Sequence, residues 1–124
     1  MPVVVGVAFG GALGASARYG LDRAIEARVS SVFPWSTFTI NITGCFAIGL
    51  ITAALVDRQH LPAWLRVGLV VGFVGGYTTF STFAQEALEA GESRQILVAA
   101  AYVLASVAVG IAAVYAGVRV GRAV

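Results

Sequence analysis

The chain has 124 residues, 59% of them hydrophobic and only 11% charged, with a net charge of +2, and its mean hydropathy is +0.89. Soluble domains carry about a quarter charged residues, so residues 1–124 read as a single transmembrane domain. The positive charge is small, scattered and entirely arginine, which gives no footprint for a nucleic-acid partner.

Four apolar runs predict four membrane helices over residues 3–27, 33–56, 63–90 and 95–119. A membrane helix needs about 20 apolar residues, and each run meets that. In the first run no charge precedes Arg18, where Tyr19 adds an interfacial aromatic beside a cation able to snorkel. Ala15-Ser16-Ala17 resembles a cleavage site, but the basic region that opens a signal peptide is missing, so a first membrane helix is expected. Gly6, Gly10 and Gly14 step by four, a spacing that lets helix backbones approach closely in lipid.

The second run holds Asn41, with Thr37, Thr39 and Thr43 around it. A carboxamide at that depth is costly unless hydrogen-bonded. It either joins two helices or offers its NH2 donors to an anion. Threonines in membrane helices usually bond back to their own backbone, so each alone says little. Cys45, the only cysteine, forms no internal disulfide and reads as a buried, inert thiol.

The third run carries the most information. No charge lies between Arg66 and Glu86, and residues 67–74 are uniformly apolar apart from glycine. Gly75-Gly76 then bring the poorest helix formers short of proline, followed by β-branched Thr78-Thr79. A helix broken mid-membrane is expected. Such backbone survives only where it is buried in protein or lines a water-filled cavity. Phe80 and Phe83, three residues apart, share a helix face and alternate with the hydroxyls of Thr79, Ser81 and Thr82. Aromatics in membrane helices ordinarily pack or face lipid. Ring edges are positive, however, so edges and hydroxyls together suit a path for a small anion. Gly68, Gly72 and Gly76 repeat the four-residue step.

In the fourth run Tyr102 and Ser106 share a face, with Gly110 one turn on: a hydroxyl track interrupted by a glycine. The spans have no ionisable group near their centres; Glu86 comes closest, at the end of the third. Proton-coupled transporters need such a relay, so passive movement is expected. The one histidine, His60, sits in a connector, and no nucleophile, phosphate-binding or metal-ligand motif is present, which excludes an enzyme.

Alternating spans put Arg58, Arg66, Arg119 and Arg122 on one side of the membrane and Arg18, Arg23, Arg28 and Arg94 on the other. The balance gives no orientation by the positive-inside rule. Either the chain inserts both ways and pairs as opposite copies, or details outside the count fix one topology.

Gly10-Gly11-Ala12-Leu13-Gly14-Ala15 with Arg18-Tyr19, then Thr39-Ile40-Asn41-Ile42-Thr43-Gly44, then residues 72–83 with Glu86, resemble the Fluc/CrcB fluoride channels over almost the whole chain. The resemblance implies an all-α membrane protein and an antiparallel, dual-topology homodimer in the bacterial inner membrane. It also implies paired fluoride pores, a central structural Na⁺ and export of cytoplasmic fluoride. It places Phe80 and Phe83 on the fluoride path and makes Asn41 a donor to the ion. It sets Ser81, Tyr102 and Ser106 along a polar track, and Arg18, Thr39 and Glu86 near the pore or its mouths. It gives the main-chain carbonyls of Gly75 and Thr78 from both copies as the Na⁺ ligands. Gly110 departs from the pattern, standing where some members carry a hydroxyl. A small multidrug antiporter would also be a four-helix, dual-topology dimer, but it needs a carboxylate in the first span, and residues 1–17 hold none. A non-transporting accessory subunit would leave Asn41 and the threonines unexplained.

Overall fold

A computed structural model describes residues 1–56 and 61–124. Arg58 of the arginine count and His60 of the connector lie outside the described residues. The described chain is helical. Helix α1 spans Val3–Glu26, and α2 spans Trp35–Ile51 and continues as a wider π-helical turn, Thr52–Val56. Helix α3 covers residues 63–77: Ala63–Val67, a π-helical stretch Gly68–Val74, and Gly75–Tyr77. Helix α4 is Phe80–Glu92 and α5 is Ile96–Ala123. Pro2, Pro34 and Pro62 stand immediately before α1, α2 and α3, where a fixed φ and a missing N–H cost nothing.

Four stretches are long and apolar enough to cross a membrane: Val3–Glu26, Trp35–Leu55, Ala63–Glu92 and Ile96–Ala123. The protein is therefore a multi-pass membrane protein. Only 11–22% of the apolar window of each stretch is buried in the single chain, as suits helices that also face lipid. The third stretch is the one interrupted.

The interruption falls on the threonines. Thr78 (φ −86°, ψ 162°) and Thr79 (φ −150°, ψ 122°) are extended, while Gly75 stays in the helical region. Of the two weak points expected, Gly75-Gly76 stays within α3 and the interruption falls on Thr78-Thr79. Thr78 closes α3, its N–H and its hydroxyl both donating to the carbonyl of Val74 at 3.0 Å. Thr79 opens α4, its Oγ1 accepting the N–H of Thr82 at 3.3 Å as an N-cap.

Two helix pairs surround the break. Helix α1 packs on α3, and α2 packs on α5. In the first pair the contact is backbone on backbone. A Cβ on Gly10 would run into the carbonyl oxygen of Gly68, and one on Gly14 into that of Phe73. A Cβ on Gly72 would lie 2.7 Å from the carbonyl oxygen of Val7, and one on Gly76 2.8 Å from that of Gly11. The four-residue glycine steps are a packing seam, and Gly76 belongs to it. The α2–α5 pair uses the same device at Gly49, Gly117 and Gly121, which sequence reading did not single out. Helix α4 leans on α5. The α4–α5 turn is tight, with Gln95 N–H bonded to the carbonyl of Ala90 at 2.9 Å and Arg94 at φ 59°.

Candidate ion pathway around the helix break

The extended residues end the α3 ladder at the Val74 carbonyl, so the carbonyls of Gly75, Gly76, Tyr77 and Thr78 lose their helical donors, and the first and last of these matter here. In a continuous helix the carbonyl of Gly75 would receive the N–H of Thr79, and that of Thr78 the N–H of Thr82. Thr79 N–H goes instead to Asn41 Oδ1 at 2.8 Å, and Thr82 N–H to the Thr79 hydroxyl. Asn41 also donates its Nδ2 to the carbonyl of Thr79 at 2.8 Å. The side chain thus meets both polar groups of one extended residue, and one N–H of its NH2 remains beyond this pair. Glycine at position 44 permits the approach, because a Cβ there would collide with the Thr78 methyl.

Asn41, Thr78, Thr79, Phe80, Phe83 and Ser106 line one open groove of about 330 Å³, together with Gly44, Cys45, Ile48, Val74 and Val107. Its wall is apolar carbon with a few donors and no charged side chain. Phe80 and Phe83 lie with ring centroids 5.6 Å apart and planes tilted by 51°. Phe80 is 79% exposed. The Ser106 hydroxyl is buried and has no hydrogen-bond partner among the described residues. Gly110 also comes to the Cys45 side of α2, where an added Cβ would sit 3.4 Å from the thiol sulfur.

Behind Phe83 a carboxyl is held between three helices. Glu86 on α4 accepts from Thr37 Oγ1 of α2 at 2.8 Å and from the Tyr102 hydroxyl of α5 at 2.7 Å. Tyr102 is fully buried, and Thr37 is 3% exposed. The Phe83 ring stands edge-on to Tyr102 at 5.0 Å, and Phe33 meets Tyr102 from elsewhere at 5.4 Å. On the other side of the break, Arg18, Tyr19 and Asp22 of α1 line a second cavity of about 240 Å³ with Ala15, Thr37, Ile40, Thr79 and Thr82. The buried Ser36 hydroxyl donates to Asp22 there.

The structure therefore brings together Asn41, Thr78, Thr79, Phe80, Phe83 and Ser106 around one groove. Arg18 and Thr82 meet in the second cavity, and Glu86 meets Tyr102. Thr79 borders both cavities. Two expected residues stand apart. Ser81 is exposed, with its hydroxyl 3.5 Å from that of Thr79, and does not line the groove. Thr39 contributes its carbonyl to Thr43 Oγ1 at 2.7 Å, while Thr37 is the threonine that reaches Glu86. The signal for Thr37 was present in the spacing: Thr37, Asn41, Gly44 and Ile48 share one helix face, and Thr39 lies away from it. Asp22 and Ser36 were also passed over, and nothing short of the fold links them.

Residues 5–118 match the family model described as "CrcB-like protein, Camphor Resistance (CrcB)". The chain is 49% identical over 117 residues to the "Fluoride-specific ion channel FluC" of Acidobacterium capsulatum, covering 94% of this chain and 93% of that one. It is 47% identical to the protein of the same name from Solibacter usitatus, covering 94% and 95%. The "Fluoride-specific ion channel FluC" of Paracoccus denitrificans is 46% identical, covering 94% and 91%.

Proposed function

The chain belongs to the CrcB-like family, and on that premise we propose that it is a fluoride channel, moving the anion passively across the bacterial inner membrane and so relieving the cytoplasm of fluoride. What carries this reading is near full-length identity of 46–49% to proteins named fluoride-specific channels. The groove fits it. Fluoride is small and strongly hydrated, so donors must replace its water, yet a fixed cation would hold it too tightly to leave. Asn41, Ser106 and the ring edges of Phe80 and Phe83 offer neutral, partly positive contacts around an uncharged space that Thr79 also borders. The Ser81 and Thr82 hydroxyls continue from that of Thr79, at 3.5 and 3.1 Å. Glu86 with Tyr102 and Thr37 backs the Phe83 ring, and Arg18 lines the second cavity, where a cation gathers anions without binding one inside the pore.

The functional unit in this reading is an antiparallel homodimer. The exposure of Phe80 supports it, since a second copy would cover a ring that one copy leaves open. The even arginine count supports opposite insertion. A structural Na⁺ fits the break: the carbonyls of Gly75 and Thr78 have lost the donors a helix would give them, and unwound carbonyls coordinate Na⁺ in membrane proteins. Two copies meeting at the break would double a ligand set too small in one. Bound there, the ion supplies positive charge to carbonyls that would otherwise stay unpaired.

Liposomes carrying the purified chain, read with a fluoride electrode, test the reading. Fluoride should leave without a proton gradient and chloride should stay behind. A requirement for the gradient, or equal chloride loss, would refute the channel. Single cysteines at the chain ends, in a Cys45→Ala background, should label from both sides; labelling from one side only rules out dual topology.

A further inference from the structure

We infer that Asn41 is a positioning residue for the helix break: its side chain takes both polar groups of the Thr79 backbone and so withholds the Thr79 N–H from the Gly75 carbonyl, leaving that carbonyl to a cation. This rests on the channel reading for its purpose and on local geometry for its substance.

The geometry is specific to a carboxamide. Thr79 is extended where both neighbouring segments are helical. Its N–H has no place in either helical ladder, and an unsatisfied peptide group at membrane depth costs several kcal/mol. Its C=O, as the N-cap carbonyl, opens the α4 ladder and takes the Asn41 donor on its second lone pair. Asn41 offers one acceptor and one donor in one plane, and both bonds measure 2.8 Å. That is the service a neighbouring strand gives an extended residue, provided here by a single side chain. Leucine would offer neither bond, and serine only one atom. The Thr79 hydroxyl does not duplicate it, being committed to the α4 cap at Thr82. The simpler role, joining α2 to another helix, needs only one bond to any group. Here both bonds fall on one residue, and the first of them diverts the N–H that the Gly75 carbonyl would otherwise receive.

The consequence is a link between anion path and cation site. Asn41 lines the groove with Phe80 and Phe83, and through Thr79 it also decides whether Gly75 keeps a helical partner. A change at Asn41 therefore reaches the sodium requirement, although the side chain would touch no sodium.

The test is isotope-labelled full-length chain in lipid nanodiscs, read by the backbone resonances of Gly75, Thr78 and Thr79 during sodium titration. Asn41→Leu should move the Thr79 Cα shift out of the extended range and raise the sodium midpoint about 30-fold, as two lost hydrogen bonds imply. Asn41→Asp keeps an acceptor for the Thr79 N–H and should restore the Thr79 amide signal; it also decides the matter should the leucine variant fail to assemble. Extended shifts and an unchanged midpoint in Asn41→Leu would overturn the inference, as would an Asn41→Asp amide resembling that of the leucine variant. Sodium-blind resonances in the unsubstituted chain would overturn the cation link. None of these needs flux: an unsubstituted chain that passes no fluoride removes the channel reading and leaves the Asn41–Thr79 result standing.

Discussion

Tyr102→Phe isolates one hydroxyl in the molecule's most enclosed spot. Tyr102 is fully buried, and its hydroxyl gives Glu86 Oε2 a hydrogen bond of 2.7 Å. Phenylalanine keeps the ring and hence the edge contacts with Phe83 at 5.0 Å and Phe33 at 5.4 Å. The lost volume is one oxygen, so no cavity penalty of consequence enters. What remains is the bond and a part-buried carboxyl oxygen left without its donor, a cost of about 1–3 kcal/mol. The same energy is a factor of about 5–150 in the population of the held carboxyl. Thr37 still donates to the other oxygen at 2.8 Å, so the carboxyl is loosened and not released. Thr37→Val removes that second donor. Because both donors serve one carboxyl, the double variant should depart from additivity by roughly 0.5–3 kcal/mol. Reversible unfolding in mixed detergent, followed by fluorescence of Trp35 and Trp64, gives the stabilities, and fluoride efflux gives the functional cost. Efflux should fall in each single variant. A stability change under about 0.5 kcal/mol for Tyr102→Phe with unaltered efflux, together with strict additivity in the double variant, would refute the held carboxyl.

Phe83→Ile removes the polarised ring edge from the groove while roughly keeping apolar bulk, so fluoride efflux should drop sharply with the assembled state on a sizing column unchanged; normal efflux would take Phe83 off the path. Gly14→Ala presses a methyl onto the backbone of Phe73, which has no side chain to move aside, and should destabilise the chain by about 1–3 kcal/mol, read in the same unfolding assay. Gly20→Ala on the same helix, where an added Cβ meets nothing within 4 Å, serves as the control and should be neutral or mildly stabilising.

The helices were legible because the membrane makes length and apolarity decisive, and the turns between them are marked by charge and proline. The interruption of the third span was legible as well, with two candidate places, Gly75-Gly76 and Thr78-Thr79, between which the sequence did not decide. Gly75-Gly76 looked like a weak point by propensity, yet Gly76 serves the seam with α1 and stays helical, and the hydroxyls of Thr78 and Thr79 make the actual end and beginning. The cost of Asn41 was visible in the sequence, whereas its partner lies 38 residues away and only the fold supplies it. Thr37 shows the opposite case, since helical spacing alone set it on the Asn41 face. The π-helical stretch Gly68–Val74 has no sequence signature that separates it from an α-helix.

The glycine seam between α1 and α3 has a mechanical meaning. Residues 63–77 lie against α1 with backbone touching backbone, and close-packed main chain has little room to slide or repack. Beyond Thr79 the attachments change: α4 is tied through Glu86 to α2 and α5. The two halves of the third span thus rest chiefly on different neighbours and are joined by two extended threonines. A displacement of one half against the other would be taken up in the dihedrals of Thr78 and Thr79, the non-helical residues between them, and Asn41 ties the second of these to α2.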